Sequence, residues 1–529
     1  MIIQNRRRVM GKKPEVPFEK QYLTFESLES GTFQFSNAVN YSLDGGRSWV
    51  ALAAATDTPT LNAGDKILWK ASLTPNSTSG IGTFTSSGKY NAFGNPLSLR
   101  LGDDFKGVTT MPNNTYMFYK LFYQNTYLVD AGDIQLVCTT LRNFCYSQMF
   151  YGCSLLIAVP ELPAVTLQSS CYRAMFQDCT SLVTFPHTMS VNATSGQQQM
   201  YSMFEGCTSL VSAKNIGFST TTNIQYYSCA RMFANCTSLT TPPNELSVTA
   251  CSYQGCYYQM FLNCTSLTYT PAIKMATYNN STGTMCCEMF RGCTSLTTIN
   301  MVHIDRACNS SHNSMFYGCT SLVTFPSGII TETTALNNSS SFDKMFTGCS
   351  NLVNINIPVL PDATGKSNCF QYMFLNCASI TKAPVLTAAT LPNNAYRQMF
   401  KGCSNLNYIK CLATNISATN SHENWVSGVS ATGTFVRHPD MASWAINASG
   451  IPSGWTILEA VQITVTYTGD NSGTYLKEIG GSDIIHAFVD GEAYEADLDD
   501  AKSYGVYDSG DNLVETLTTP FNRTNSITI

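Results

Sequence analysis

The chain has 529 residues, of which 44% are hydrophobic and only 12% are charged. A chain of this length exceeds what one hydrophobic core normally serves, so more than one structural unit is expected. The low charge means that neutral polar side chains cover the surface. That excludes the dense Lys/Arg face needed to bind nucleic acid or an acidic membrane.

The formal charge of −5 is unevenly distributed along the chain. Residues 459–529 contain 13 acidic and 3 basic residues, a balance of −10, whereas the opening segment MIIQNRRRVMGKK is basic. No apolar run of signal-peptide type follows it, and no stretch has the roughly 20 apolar residues of a membrane span. We therefore expect a protein made without a conventional export signal. Its basic arm, residues 1–20, would anchor it through Arg6, Arg7 or Arg8.

Residues 21–115 are predicted to form a small β domain. The stretch GTFQFSNAVNYSLDGGRSWVAL alternates apolar and polar residues on both sides of Asp44-Gly45-Gly46, a strong hairpin signal. The stretch AGDKILWKASL adds another strand around Trp69. We expect this domain to cover the open N-terminal end of the segment that follows.

Residues 116–412 contain an internal repeat built on a Met-Phe pair, and each Phe is followed by two variable residues and a Cys. The pairs begin at residues 149, 175, 203, 232, 260, 289, 315, 345, 373 and 399. An earlier LFYQNTYL, which contains Phe122, is interpreted as a degenerate eleventh copy. Periods of 20 to 50 residues are typical of stacked supersecondary units, so the sequence predicts a solenoid of about 11 coils.

Each repeat is predicted to contain a strand and a short helix. The stretch CTSLVTFP, with β-branched and aromatic residues before Pro186, is typical of a short strand closed by a turn. The stretch CYRAMFQD before it has room for about one or two helical turns. The predicted fold class is therefore β-rich α+β: a leucine-rich-repeat-like parallel solenoid flanked by small β domains.

The 21 cysteines are odd in number and all lie between Cys138 and Cys411. In a stack, the same position of each coil falls on the same interior row, and a small thiol fits a row that Leu would overfill. We therefore predict one buried, reduced row formed by Cys153, Cys179, Cys207, Cys236, Cys264, Cys293, Cys319, Cys349, Cys377 and Cys403.

Metal binding or disulfide formation is the alternative for the cysteines spaced seven residues apart. These pairs are Cys145/Cys153, Cys171/Cys179, Cys256/Cys264 and Cys369/Cys377, and Cys286-Cys287 is a vicinal pair. Structural zinc sites usually use a spacing of two to four residues and four ligands. Because the seven-residue spacing follows from the repeat itself, we favour buried thiols.

The repeat resembles a known family. Units such as CYYQMFLNCTSLTYTP and CYRAMFQDCTSLVTFP are similar to the BspA-type leucine-rich repeats of Bacteroides-group surface proteins and their phages. The resemblance covers residues 116–412. It implies a parallel solenoid used for binding rather than for chemistry, and it leaves the partner open.

The end of the chain departs from the repeat. Residues 413–458 introduce Trp444 and Trp455 and are predicted to form a C-terminal cap, because the core of a terminal repeat would otherwise face water. Residues 459–529 are predicted to form a separate acidic β module.

No catalytic, cofactor or metal site is predicted. The six histidines are His187, His303, His312, His422, His438 and His486, and none lies in a motif with a nucleophile. The segment DLDD at 497–500 lacks the loop pattern of a calcium site, so a solvated acidic edge is the better interpretation. Paired carboxylates, a phosphate-binding loop and a nucleophile elbow are not identified.

These features favour a non-enzymatic structural protein of a bacteriophage virion, such as a fibre or appendage that contacts the host surface or decorates the particle. The basic opening is also similar to that of structural proteins from Bacteroides-infecting phages. The expected partners are other virion proteins, further copies of this chain, and a host surface glycan or protein, with no nucleic acid and no membrane insertion. The main alternative is a BspA-type adhesin on a bacterial cell surface. A glycan-degrading tail protein is the second alternative.

Overall fold

Strands account for nearly all the regular secondary structure of the chain. The computed structural model describes residues 21–164, 166–191, 196–218, 225–247, 254–274, 283–301, 306–307, 310–331, 335–336, 339–441, 444–466, 473–482, 484–488, 493–498, 502–517 and 524–528. The predicted basic arm, with Arg6, Arg7 and Arg8, lies outside these residues. Two compact units divide the chain, Met1–Val302 and His303–Ile529.

Unit 1 contains twelve of the strands found in the described residues, one short α-helix and one 3-10 helix, Gly102–Phe105. They are β1 Leu23–Ser27, β2 Phe33–Phe35, β3 Val39–Ser42, β4 Val50–Leu52, β5 Lys66–Lys70, β6 Phe84–Ser86, β7 Tyr90–Gly94, α1 Ser98–Leu101, β8 Leu128–Ile134, β9 Met189–Val191, β10 Ile216–Phe218, β11 Glu245–Ser247 and β12 Ala272–Lys274.

The N-terminal strands form a sheet of order β4-β3-β5-β1-β7-β8. The predicted hairpin around Asp44 is confirmed by the antiparallel pairing of β3 with β4, and the predicted strand at Trp69 is β5. The Asp44 carboxylate accepts hydrogen bonds from the Arg47 and Ser48 amides at 3.0 and 2.9 Å, which fixes the turn. Strand β8 joins β7 in parallel, so the first strand of the repeat region extends this sheet.

An aromatic core connects the N-terminal sheet to the repeat region. Phe25 contacts Phe84 with ring centroids 4.8 Å apart, and Phe84 stacks on Phe122 at 5.9 Å. Asn125 occupies the Cys position of this degenerate copy, and its amide donates to the Phe84 carbonyl at 3.1 Å. The N-terminal strands therefore supply apolar and hydrogen-bonding partners for the first ring of the repeat.

The segment around each Met-Phe pair is a run of turns, so the predicted short helix is wrong. In the first full copy, Phe144, Gln148 and Gly152 all have positive φ, at 57°, 54° and 72°. A left-handed residue at every fourth position is incompatible with an α-helix. Successive backbone amides instead alternate between a carbonyl of the next copy and a carbonyl of the same copy. The Phe150 amide donates to the Met175 carbonyl of the next copy at 2.9 Å, and the Met149 amide donates to the Tyr146 carbonyl at 3.2 Å.

The predicted strand position also needs correction. Thr184, within CTSLVTFP, makes only a single parallel bridge with Ser212, and the regular strand β9 begins after Pro186, at Met189. The fold is mostly β, with a parallel β-solenoid of about seven turns and almost no helix, and the count of about 11 coils is not supported. The number of Met-Phe copies therefore does not equal the number of solenoid turns. Each copy is joined to the adjacent copy by backbone hydrogen bonds of its turns, so it can stack without forming a regular β-strand.

Unit 2 contains the remaining described strands. They are β13 Arg306–Ala307, β14 Ala335–Leu336, β15 Val359–Leu360, β16 Val385–Leu386, β17 Tyr408–Cys411, β18 Gly433–Arg437, β19 Trp455–Thr466, β20 Tyr475–Glu478, β21 Ile484–Ala487, β22 Ala493–Leu498, β23 Tyr504–Tyr507, β24 Leu513–Leu517 and β25 Thr524–Thr528.

The sheet of unit 2 runs β15-β16-β17-β18-β19-β22, with β25 also paired to β19. Trp425 covers the end of the aromatic rows, because it stacks on Tyr396 at 6.1 Å and on Trp444 at 5.5 Å. Its indole donates to the Gly450 carbonyl at 2.8 Å. Strand β19 crosses the predicted boundary at 458/459, and β20, β21, β23 and β24 form a separate four-stranded sheet.

Candidate interaction surfaces

The cysteines of the repeat lie in the interior. The thiols at positions 153, 179, 207, 236, 264, 293, 319, 349, 377 and 403 are fully buried, and none of them forms a disulfide. Burial raises the pKa of the Cys293 thiol to about 12, so it stays protonated and unreactive at neutral pH. This row is part of the core.

A hydrogen bond explains why the row contains cysteine. The Sγ of Cys264 lies 3.1 Å from the Phe233 carbonyl of the preceding copy, and Cys179 and Cys377 make the same contact with Phe150 and Phe346. The same carbonyl of Phe233 also accepts the amide of Cys236 at 3.1 Å. The thiol therefore satisfies the second lone pair of a carbonyl that lies in an apolar interior.

The other cysteines divide into unbridged thiols and one disulfide-bonded residue among those described. Cys145, Cys171, Cys369 and the vicinal pair Cys286-Cys287 are buried and form no disulfide, whereas Cys256 is disulfide-bonded. The prediction of a buried thiol in the reduced state is therefore wrong for Cys256, because this residue forms a disulfide. Within the described ranges, no three His, Cys, Asp or Glu side chains are grouped so that they could hold a metal ion.

The side chains beside each Met-Phe pair form a second kind of surface, which we call the variable turn face. It comprises the two residues before Met and the residue after Phe. In unit 1 these are Ser147, Gln148, Tyr151; Arg173, Ala174, Gln177; Tyr201, Ser202, Glu205; Ala230, Arg231, Ala234; Tyr258, Gln259, Leu262; and Cys287, Glu288, Arg291. Its Tyr and Arg members and Gln148, Gln177, Leu262 and Glu288 are partly or fully exposed, whereas its Ser, Ala and Cys members and Glu205 and Gln259 are buried. No two copies have the same three residues.

A side-chain network crosses this face in unit 1. Arg231 donates through Nε to Glu205 at 3.1 Å and also contacts Gln259. Gln259 donates to Glu288 at 3.0 Å, and Glu288 pairs with Arg291 at 3.0 Å. Four consecutive copies are thereby connected, and the long side chains are held in fixed positions.

Tyrosines and cations dominate the N-terminal part of the same face. Tyr123 stacks on Tyr151 with centroids 5.0 Å apart, and the Lys120 ammonium lies 4.8 Å from the Tyr123 ring. Arg173 is exposed and lies over the Tyr201 ring at 5.5 Å. Tyrosine and arginine are the residue types most enriched at the energetic centres of protein interfaces.

Unit 2 has its own variable turn face. Lys344 pairs with Asp343 at 3.0 Å, and its ammonium lies 5.3 Å from the Tyr372 ring. Arg397 pairs with Glu423 at 2.7 Å. Burial raises the pKa of Asp343, and among the described residues its Oδ1 has no hydrogen-bond partner.

One open cavity in unit 1 contains titratable groups. Its volume is about 500 Å³, and its lining includes Asp133, Gln135, Glu161 and His187. A nitrogen of His187, Nε2, lies 2.9 Å from the Val159 carbonyl and so carries a proton directed at that oxygen. No local sequence pattern predicts this group of side chains, because its members lie in three different copies of the repeat.

The other histidines and the acidic segment at 497–500 are not brought together into one site among the described residues. His312 is fully buried, with Nδ1 2.8 Å from Ser311 Oγ, and burial lowers its pKa to about 4. His422 contacts the Trp444 ring, and His438 and His486 lie elsewhere in unit 2. His303 and residues 499–500 of the DLDD segment lie outside the described residues.

Comparison with known families gives one match. Residues 147–270 and 256–352 match the family described as "Mycoplasma protein of unknown function, DUF285". This match supports a BspA-like repeat protein in general terms. No curated protein matches the chain. None of the described helices has the length and apolar character to cross a membrane.

Proposed function

We propose that this chain is a non-enzymatic binding protein and that it serves as a structural component of a bacteriophage virion, in a fibre or appendage that contacts the host surface or decorates the particle. One observation carries the binding function: the interior positions of the repeat hardly change, whereas the variable turn face differs in every copy. Packing constrains the interior, and a specific partner is the physical reason to place Tyr, Arg and Glu at the outer positions.

The composition of that face strengthens the proposal. In a chain with only 12% charged residues, Arg173, Glu205, Arg231, Glu288 and Arg291 are placed on one face of unit 1. The Arg231–Glu205 pair is partly buried and contributes to folding, whereas the more exposed Arg291–Glu288 pair contributes little to stability, so its position is not explained by folding alone. Glu205, Arg231, Glu288 and Arg291 are held by the network described above, so they lose little side-chain entropy when a partner binds.

A binding assay with matched variants tests this function. Recombinant residues 21–529 would be measured for binding to intact host cells and to purified cell envelope. Arg173→Ala together with Tyr201→Ala is expected to weaken binding at least tenfold, because each truncates a group typical of interface centres. The control, Thr240→Ala with Thr297→Ala, changes a different outward face. If both variants bind as strongly as the unchanged protein, the variable turn face is not the binding surface.

The virion assignment rests on the resemblance to repeats of Bacteroides-group phages and on the basic arm. We propose that Arg6, Arg7 and Arg8 anchor the protein to another virion protein through acidic partners. Deletion of residues 1–13 is then expected to abolish incorporation into particles while circular dichroism of the purified protein stays unchanged. A truncated protein that assembles at normal copy number would contradict the anchoring role.

A bacterial surface adhesin is the main alternative, and the match to a BspA-like repeat family favours it equally. The disulfide at Cys256 suits an oxidising medium outside the cytosol, as for an exported adhesin or a released particle. Immunogold electron microscopy distinguishes the two locations. Antibody against the recombinant protein should label purified phage particles under the virion proposal and the envelope of uninfected bacteria under the alternative.

A glycan-degrading tail protein is the second alternative, and the cavity that contains Asp133, Glu161 and His187 is the observation in its favour. Glycoside cleavage needs two suitably placed carboxyl groups. Release of reducing sugars from host capsule by the purified protein, abolished in Glu161→Gln, would establish an enzyme and overturn the non-enzymatic proposal.

A further inference from the structure

A second outward face of unit 1 is formed by the residue that follows the buried Leu of each repeat. We call this set the β-branched row. Its members are exposed in all six full copies of the unit: Ile157, Val183, Val211, Thr240, Thr268 and Thr297. Ile157, Val183 and Val211 have 55%, 46% and 38% of their surface exposed. Large aliphatic side chains exposed in a continuous row mark an interaction site more often than isolated ones do.

Two of the three threonines of this row, Thr240 and Thr297, have hydroxyl donors that are already bonded within the chain. The Thr240 hydroxyl donates to the Val211 carbonyl at 3.3 Å, and the Thr297 hydroxyl donates to the Thr268 carbonyl at 3.1 Å. The neighbouring Thr265 donates to the Thr237 carbonyl at 3.3 Å in the same way. Because these donors are already bonded within the chain, covering the row costs little desolvation.

The face around the row carries no charge. Between the Cys and the second residue after the buried Leu, the copies of unit 1 are CSLLIA, CTSLVT, CTSLVS, CTSLTT, CTSLTY and CTSLTT. Lys, Arg, Asp, Glu and His are absent from all six stretches. The variable turn face, with its ion pairs, has the opposite character.

Hydrogen bonds hold the copies of this face in register. Val211 donates through its amide to Val183 at 2.9 Å, and Thr240 donates to Val211 at 3.0 Å. Parallel bridges join Ser212 to Thr184 and to Thr241. The face therefore has the backbone arrangement of a parallel sheet, whose β-branched side chains pack well against a second sheet.

We propose that the β-branched row of unit 1 packs against the same row of a second copy of this chain. An uncharged apolar face is complementary to itself, as a two-fold symmetric interface requires, since the same residues meet on both sides. A charged polymer or a strongly acidic partner would find no counter-charge there. This inference goes beyond the proposed function, because it concerns a different face and a different partner.

The size of the face sets the expected strength of association. Six copies at about 5 Å each and a width of about five residues give roughly 500 Å² per chain. Stable interfaces bury about 800 Å² per partner. We therefore expect a concentration-dependent dimer with a Kd in the range of about 1–100 μM rather than an obligate one.

In unit 2 the corresponding row begins with Val323 and Val353, which are 46% and 45% exposed. It continues with Thr381 and Asn407, and Lys382 stands beside Thr381. The apolar character of the row is lost at that lysine. The dimer contact is therefore assigned to unit 1.

Analytical ultracentrifugation over a concentration series tests the proposal. The unchanged protein is expected to sediment as monomer and dimer, and Val183→Lys with Val211→Lys is expected to weaken dimerisation at least tenfold. The control, Gln148→Lys with Gln177→Lys, adds the same charge to the variable turn face and should dimerise normally. Both substituted pairs are exposed or partly exposed, and thermal melting would verify that each variant is folded.

Two outcomes would overturn the proposal. An unchanged protein that remains monomeric at several hundred micromolar would show that the row does not recognise itself. A dimer equally strong in the Val183→Lys/Val211→Lys variant would place the contact on another face. Neither outcome bears on host-cell binding, which is measured separately with the variable turn face variants.

Discussion

The thiol Sγ of Cys264 lies 3.1 Å from the carbonyl oxygen of Phe233, one repeat earlier in the chain. The amide of Cys236 also donates to that oxygen, at 3.1 Å. Each cysteine of the row thus combines two properties: it is small enough for a crowded interior, and it brings a donor to a carbonyl that water does not reach. Asn125 does the same for Phe84 in the degenerate copy, with an amide in place of the thiol.

Substitution of Cys264 should separate these two properties. Cys264→Ser retains a donor, whereas Cys264→Ala loses it, so we expect the Ala variant to be less stable by about 1 kcal/mol. Cys229 serves as the control. It is also buried, and burial raises the pKa of its thiol. Among the described residues the Cys229 thiol has no hydrogen-bond acceptor, so Ser would bury an unsatisfied hydroxyl there and Cys229→Ser should be the less stable variant. Urea unfolding gives the free energy of unfolding of the Ser and Ala variants at both positions. If the Ser variant were the more stable at both, or the Ala variant at both, the role of the carbonyl would be contradicted.

Two glycines at the same repeat position distinguish backbone strain from steric contact. Gly348 and Gly402 have φ values of 75° and 76°, but a Cβ on Gly402 would lie 2.3 Å from Asn376 Oδ1, whereas one on Gly348 would meet nothing closer than 3.8 Å. Gly348→Ala is expected to cost about 1–2 kcal/mol through the left-handed conformation. Gly402→Ala should cost about 0.5–1 kcal/mol more, because the exposed Asn376 side chain must change its rotamer to clear the added methyl group.

Removing the clashing side chain gives the matching control. Asn376 itself has a positive φ of 60°, so glycine fits there without strain. Adding Asn376→Gly to Gly402→Ala should return the loss to that of Gly348→Ala. Thermal melting of the four proteins would decide, and a double variant as unstable as Gly402→Ala would rule out the clash.

The stability of unit 2 should fall on acidification because of His312. Burial lowers the pKa of this imidazole from 6.5 to about 4, so between these values the unfolded chain binds a proton that the folded chain does not. The free energy of unfolding therefore decreases as the pH drops from 6.5 to 4, by about 3 kcal/mol, and is unaffected by this group above and below that window.

Phenylalanine follows His312 in the same aromatic row, with the Phe342 ring 5.6 Å away. His312→Phe should therefore fold and should lose most of the pH dependence between 6.5 and 4. The reverse change, Phe342→His, should increase it. Urea unfolding at several pH values tests both, and an unchanged pH profile in His312→Phe would assign the dependence to other groups.

Loss of one ring from the phenylalanine row should be strongly destabilising. Phe290 is fully buried and stacks on Phe261 with centroids 5.4 Å apart and planes 2° apart. Phe290→Ala is expected to cost roughly 3–5 kcal/mol. Tyr269→Ala, which removes a ring that is 37% exposed, serves as the control and should cost far less. A negligible change in melting temperature for Phe290→Ala would show that the ring is not part of the core.

Local sequence patterns determined the features that depend on a repeated interior. Because stacked units place equivalent residues on one row, the Met-Phe-x-x-Cys period alone predicted the buried positions, and the Asp44-Gly45-Gly46 turn and Trp69 predicted β3, β4 and β5. The period also contained the signal for the variable turn face, as positions that differ in every copy beside positions that do not.

Only the tertiary structure decided how each repeat is bonded. The sequence CYRAMFQD suits a helix by composition, but hydrogen bonds to the adjacent copy place left-handed residues at every fourth position, and those bonds do not exist within one repeat. The same holds for the β-branched row, since a threonine presents its methyl group only after its hydroxyl finds a carbonyl in the preceding copy. The number of solenoid turns, the carbonyl that each thiol contacts and the outward faces all follow from contacts between residues about 28 positions apart, which no local pattern encodes.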